Sequence, residues 1–190
     1  MISLKESPSE TPSEQQPWYA IRTFNCQERK VSRYLTQIGY THFIPMTLSV
    51  EKPGDEKKGD EKPKRILVPA IHNLLFVQKK GSEQDMTRVL GECPIPVSIF
   101  RNPGVRKLCE ISNRDMVELR MLCDPEYKTS VFMTQSEAEI MVGKEVRVVA
   151  GPFKGSVGKL IRKNKQFYFL KAVIGMGVMV RVSRWYCEPI

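Results

Sequence analysis

Candidates for covalent or metal chemistry in this chain are few: Cys26, Cys93, Cys109, Cys123 and Cys187, with His42 and His72. Structural zinc sites usually announce themselves as close Cys or His pairs. Here successive cysteines are separated by 67, 16, 14 and 64 positions, and neither histidine stands in an HxxxH or HxxC spacing. A catalytic thiol needs a neighbouring histidine to hold its thiolate, and nothing in the order of residues brings a histidine to a cysteine. The expectation is free thiols in a reducing compartment, no metal, no cofactor and no enzymatic activity.

Anion binding is the second available chemistry. The 190 residues carry 30 Lys and Arg against 21 Asp and Glu, a net charge of +9. The excess is uneven: residues 1–17 carry −2, 18–123 carry +6, 124–140 carry −3 and 141–190 carry +8. Lys154, Lys159, Arg162, Lys163 and Lys165 gather near the glycine-rich stretch VRVVAGPFKGSVGKLIRK (146–163), with Phe153, Phe167, Tyr168 and Phe169 among them. Such a patch suits a polyanion, nascent RNA above all, or an acidic protein surface. Aromatic residues at a strand's two-residue period must also fill an interior, and Phe153 reads as core. Gly151, Gly155 and Gly158 around Pro152 and Phe153 imply a tight turn with positive φ. A phosphate loop is excluded, because there is no GxxxxGK[ST] and no strong helix signal follows.

These groups must be held by elements. Residues 1–17 are rich in Ser, Pro, Glu and Gln and read as a disordered tail. WYAIRT (18–23) reads as a strand, and Asn25 with Glu28 three positions on reads as a helix start. Val31, Tyr34, Leu35 and Ile38 then form one apolar stripe, closed by Gly39, with Gln27, Arg29, Lys30 and Arg33 largely off it. Strands follow over 42–51 and 65–78, separated by the loop EKPGDEKKGDEKPK, whose five Lys balance five acids. Ser82 with Asp85 opens a second helix, IPVSIFR (95–101) is a further strand, and Ser112 with Asp115 opens a third helix carrying Met116, Leu119, Leu122 and Cys123. The order suits an α+β domain with helices on one face of an antiparallel sheet.

Residues 124–140 carry Pro125 and a poor helical signal and read as an interdomain linker. Beyond them, KEVRVVA, GKLIRK, QFYFLKAV and GVMVRVS form short strands with glycine turns, the signature of a small β-barrel. No run of about 18 apolar residues and no secretory leader is present, so no membrane partner and a cytoplasmic location are expected.

The stretch 146–163 closely resembles the KOW motif of SH3-like barrels. WYAIRTFNCQERKVSRYL, the run Gly39-Tyr40-Thr41-His42-Phe43-Ile44-Pro45, LLFV (74–77) and NPGV (102–105) resemble successive landmarks of the NusG N-terminal domain. The chain is therefore identified as a member of the NusG family: an N-terminal α+β domain over 18–123 and a KOW domain over 141–190. Two departures stand out. Ile71-His72-Asn73-Leu74 replaces the usual phenylalanine-proline-glycine-tyrosine step, and Val173-Ile174-Gly175-Met176-Gly177, with Ile174 nearest the position, replaces a loop that carries an aromatic residue facing a ribosomal protein. Both make the chain resemble UpxY-type antiterminators of capsular polysaccharide operons more than the general factor, and leave ribosome contact in doubt.

The resemblance implies a monomeric transcription elongation or antitermination factor whose N-terminal domain lays an apolar surface on the clamp helices of the largest RNA polymerase subunit. Trp18, Tyr19, Phe43, Pro45, Leu74 and Phe76 are the residues it points to, although strand alternation requires about half of them to be core. Arg22, Arg29, Lys30 and Arg33 could meet non-template DNA, with Gln27 near the same end, and their structural alternative is a solvated helix face. The rival is an RNA- or ribosome-binding KOW protein that acts without polymerase.

Overall fold

The computed structural model describes residues 16–50, 64–102, 104, 107–126 and 130–190. The charged loop and most of the acidic tail lie outside the described residues. So do three positions of the 102–107 turn, Pro103 among them. In chain order the first half contains β1 (Trp18–Arg22), α1 (Glu28–Gln37), β2 (His42–Phe43), β3 (Met46–Val50), β4 (Arg65–Pro69), β5 (Leu74–Gln78), α2 (Glu83–Gly91), β6 (Ser98–Ile99), β7 (Glu110–Ile111) and α3 (Asn113–Leu122). The second half contains β8 (Val131–Thr134), α4 (Gln135–Ile140), β9 (Lys144–Val148), β10 (Val157–Lys163), β11 (Gln166–Val173), β12 (Met176–Arg181) and β13 (Cys187–Pro189).

The first sheet runs β2-β5-β1-β6, all antiparallel, with β7 also pairing β1. β1 and β5 are apolar on both faces, and four consecutive residues of each are buried. Such runs belong to a sheet covered twice. On one side Tyr19, Ile21, Leu75 and Val77 pack with Val31 and Leu35 of α1 and Met86 and Leu90 of α2. On the other, Trp18, Ala20, Leu74 and Phe76 pack with Met116, Leu119 and Leu122 of α3. The helices thus occupy both faces, where the sequence suggested one. β3 and β4 form a separate hairpin beside this sheet.

Capping explains the helix starts. Ser82 and Asp85 close a capping box, and Ser112 Oγ accepts from the Asp115 N–H. The Asn25 cap does not form: Asn25 and Cys26 take φ of 54° and 53°, and α1 begins later, after Gln27, with no side-chain cap.

The second sheet is six-stranded, β13-β9-β10-β11-β12-β8. The linker reading of 124–140 is corrected here. β8 pairs with β12, and α4 packs Ala138 against Leu170 and Met179 of the same sheet. Thr134 and Glu137 form a capping box at the start of α4, so the S/T-x-x-E signature was present in the sequence and outweighed by Pro125 and the polar composition. In the KOW turn, Gly151 and Gly155 take φ of 82° and 94°, as a tight turn requires. Gly158 serves differently: a Cβ there would strike the Leu170 carbonyl oxygen and the Phe169 ring. Phe153 is buried in the core beside Pro152, which is exposed.

Candidate interaction surface

The six apolar candidates separate by face. Trp18, Leu74 and Phe76 belong to the cluster under α3, whereas Tyr19 lies on the opposite side beneath α1 and α2 and donates its hydroxyl to Glu110 at 2.9 Å. Burial and the Glu110 carboxylate push the Tyr19 phenol well above its ordinary range. All four are at most 3% exposed; Pro45 is buried and Phe43 half-buried. Alternation does not divide them into core and contact, since both faces of β1 and β5 are covered.

What covers the Trp18 face decides its availability. α3 supplies Arg120, whose guanidinium lies 4.4 Å from the Trp18 ring centre and 5.3 Å from that of Phe43. Burial lowers its pKa, and its buried Nε has no hydrogen-bond partner among the described residues. The Trp18 indole N–H donates to Asn113 Oδ1 at 3.0 Å. Beyond α3, the same apolar cluster continues into the second sheet through Val146, Val148, Phe153, Phe169, Met176 and Val178. At the β11–β12 turn, Gly175, at φ 93°, sits so near β1 and β5 that a Cβ there would lie 2.8 Å from Leu74 Cδ1 and 3.7 Å from Ala20 Cβ. Ile174 and Val173 pack against this cluster as well.

An ionic contact fixes the docked position. Lys171 of β11, 7% exposed, reaches Asp115 Oδ1 at 2.6 Å and Glu118 Oε2 at 2.7 Å on α3. Arg114 on the same helix pairs with Glu118 at 3.3 Å and donates to the Gly155 carbonyl at 3.4 Å. Burial raises the Asp115 pKa, but hydrogen bonds from Lys171 and Ser112 outweigh it and leave the carboxyl below its ordinary range. A buried ion pair is near break-even against apolar packing, while loss of one partner is costly. The pair ties β11 to α3, and truncating either partner leaves a buried charge unpaired.

The basic candidates form two exposed groups. Arg22, Arg29, Lys30 and Arg33 are all exposed near one end of the first sheet. Arg22 lies over Phe100 at 5.1 Å, and Arg29 donates to the Leu67 carbonyl of β4 at 2.7 Å. Arg162, Lys163 and Lys165 surround the β10–β11 turn, where Asn164 and Lys165 take φ of 49° and 62°. Lys154 sits in the turn at the far end of β10, about 20 Å away at the rise of a strand, and Lys159 Nζ reaches the Met141 carbonyl at 3.5 Å. The five cations thus lie at both ends of β10 and along it.

The fold also places a histidine near a cysteine, which the order of residues gives no hint of. The fold brings His72, in the β4–β5 turn, beside Cys26 and Glu28 at the start of α1. Of the described thiols, Cys109, Cys123 and Cys187 are buried, and burial pushes Cys123 up to about 12. No described helix is long and apolar enough to cross a membrane.

Comparison with known proteins gives two family matches. The NusG model, described as transcription termination factor nusG, matches residues 16–120, and the KOW motif model matches residues 142–174. No curated protein matches significantly. Among solved structures, one described as domain interaction in Thermotoga maritima NusG is 15% identical, covers 94% of this chain and 99% of its own, and gives a TM-score of 0.47.

Proposed function

The chain belongs to the NusG family of transcription elongation and antitermination factors, and from that premise we propose that it binds elongating RNA polymerase through the Trp18 face of its first sheet. The family's members are non-catalytic regulators, and the proposed chemistry is correspondingly a hydrophobic contact with a polar rim on the largest subunit's clamp helices. Trp18, Phe43, Leu74 and Phe76 supply the apolar part. Bound there, the factor suppresses pausing and early termination.

The observation that carries this reading is that a face of matched sequence is capped by a module contributed from elsewhere in the chain, and not only by its own helix. Gly175 and Lys171 belong to the second module and sit on β1, β5 and α3. The docked arrangement is then a closed state, and polymerase binding requires the second module to leave. Two departures from the family pattern, at 71–74 and 173–177, support a specialised antiterminator of a capsular or exopolysaccharide operon. The second departure is also the turn lying on Leu74, which fits poorly with standing ribosome contact.

Exposed Arg29, Lys30 and Arg33 would meet non-template DNA, and Arg162, Lys163 and Lys165 nascent RNA. Pull-down with a clamp-helix fragment, combined with read-through at a terminator, tests the proposal. Capture and increased read-through are expected. Failure of both, with tight binding to structured RNA in the absence of polymerase, would favour a KOW protein acting alone.

A further inference from the structure

Three ligand-type side chains from two segments far apart in sequence converge where the β4–β5 turn meets the start of α1. Cys26 Sγ, a Glu28 carboxylate oxygen and a ring nitrogen of His72 all lie within 4.8 Å of one another. Cys26 and His72 are exposed, so an ion can enter; Glu28 is 1% exposed. Glu28 accepts a hydrogen bond from the Asn73 N–H, yet no lysine or arginine among the described residues pairs with it. A buried carboxylate without a counter-cation is costly, and coordination of a metal is one of the few ways proteins hold one.

The surroundings hold the three donors in place. Asn73, at φ 60°, accepts the Cys26 N–H on its Oδ1 at 2.8 Å, accepts the Thr23 N–H on its carbonyl at 3.0 Å and gives its own N–H to Glu28. One residue thus ties together both loops that carry the ligands, the part that outer partners play in metal sites. His72 and Asn73 fall in the segment that departs from the family pattern.

We propose that Cys26, Glu28 and His72 form a zinc site with the fourth position open to water. One sulfur, one nitrogen and one oxygen donor suit a borderline ion such as Zn²⁺, whereas Mg²⁺ and Ca²⁺ require oxygen shells. Metal–ligand bonds of about 2.0–2.3 Å place tetrahedral ligands about 3.5 Å apart. Closing from the observed separations takes about 1 Å, within reach of rotations of the two exposed side chains. Cys26 binds as thiolate, and its proton passes to solvent. The ion would join the start of the basic helix α1 to the turn that leads into β5.

The site is independent of polymerase binding and is tested on the full-length reduced protein alone. Titration with Zn²⁺ against a chromophoric chelator should show one tight equivalent, and Co²⁺ should give a tetrahedral spectrum with a thiolate-to-cobalt band. Cys26→Ser and His72→Ala, both at exposed positions, should each weaken binding by more than the roughly 10–100-fold cost of losing an outer partner, and Cys26→Ser should abolish the thiolate band. Cys93→Ser, as a control thiol, should change neither. Absence of a tight equivalent, or equal binding by the wild type and the Cys26→Ser, His72→Ala double variant, overturns the proposal.

Discussion

The two faces of the first sheet are buried to the same degree by different means. Tyr19, Ile21, Leu75 and Val77 are sealed by α1 and α2, helices that lie adjacent to the sheet strands in sequence. Trp18, Ala20, Leu74 and Phe76 are sealed by α3 and, beyond it, by a module whose contacting residues begin some way further along the chain. The first seal is largely apolar, with the Tyr19 hydroxyl bonded to Glu110. The second carries Lys171 between two carboxylates and a glycine pressed on Leu74. One face is sealed by helices of its own domain alone, and the other is covered by α3 and also by the second module, which under the proposed function leaves it when polymerase binds.

Leu35→Ala on α1 should have the largest effect on stability, about 2–5 kcal/mol for a Leu truncated in a packed core, read as a lowered denaturant midpoint. It should leave the contact between modules in place. A loss of docking with it would erase the distinction between the faces.

Lys171→Met should act the other way. Removing one partner of a buried pair costs about 3–5 kcal/mol, and because Asp115 is 42% exposed the lower end is expected. That loss should fall on docking: Cys123, buried in the shared cluster with its thiol pushed up to about 12, should become alkylated faster while the unfolding of the first sheet changes little.

Acid should reproduce a weaker form of the same release. The Asp115 carboxyl is held below its ordinary range in the docked state. Its contribution is therefore complete above the ordinary carboxylate range and lost as pH falls through the depressed value. Trp18 fluorescence in a Trp185→Phe background should report opening on acidification, and Asp115→Asn should remove this step.

Smallest are the surface cations. Lys30→Ala and Arg33→Ala should each remove about 0.7 from the slope of log affinity against log salt for single-stranded DNA, with no effect on docking. An unchanged slope would return these residues to a solvated helix face.

Much of the first domain was legible because its signals are local. The stripe Val31, Leu35 and the caps Ser82 and Ser112 each lie within a few residues of what they satisfy. Asn25 misled because its own left-handed φ delays the helix. α4 is hard to read although Thr134 and Glu137 spell its cap, because a short helix carries little periodicity to set against Pro125 and the polar composition. The candidate surface was legible only as residue types. That Leu74 meets Gly175, that Lys171 lies between Asp115 and Glu118, or that His72 stands beside Cys26 depends on packing between segments 46 to 101 residues apart, and no periodicity carries that information.

The second module covers the surface proposed to bind polymerase. Capture of a clamp-helix fragment by wild type and by Lys171→Met, compared at equal protein folding, tests it most directly. Tighter capture by Lys171→Met is the expected result, because the face is uncovered more often. Equal or weaker capture by a variant whose modules have demonstrably separated would contradict it.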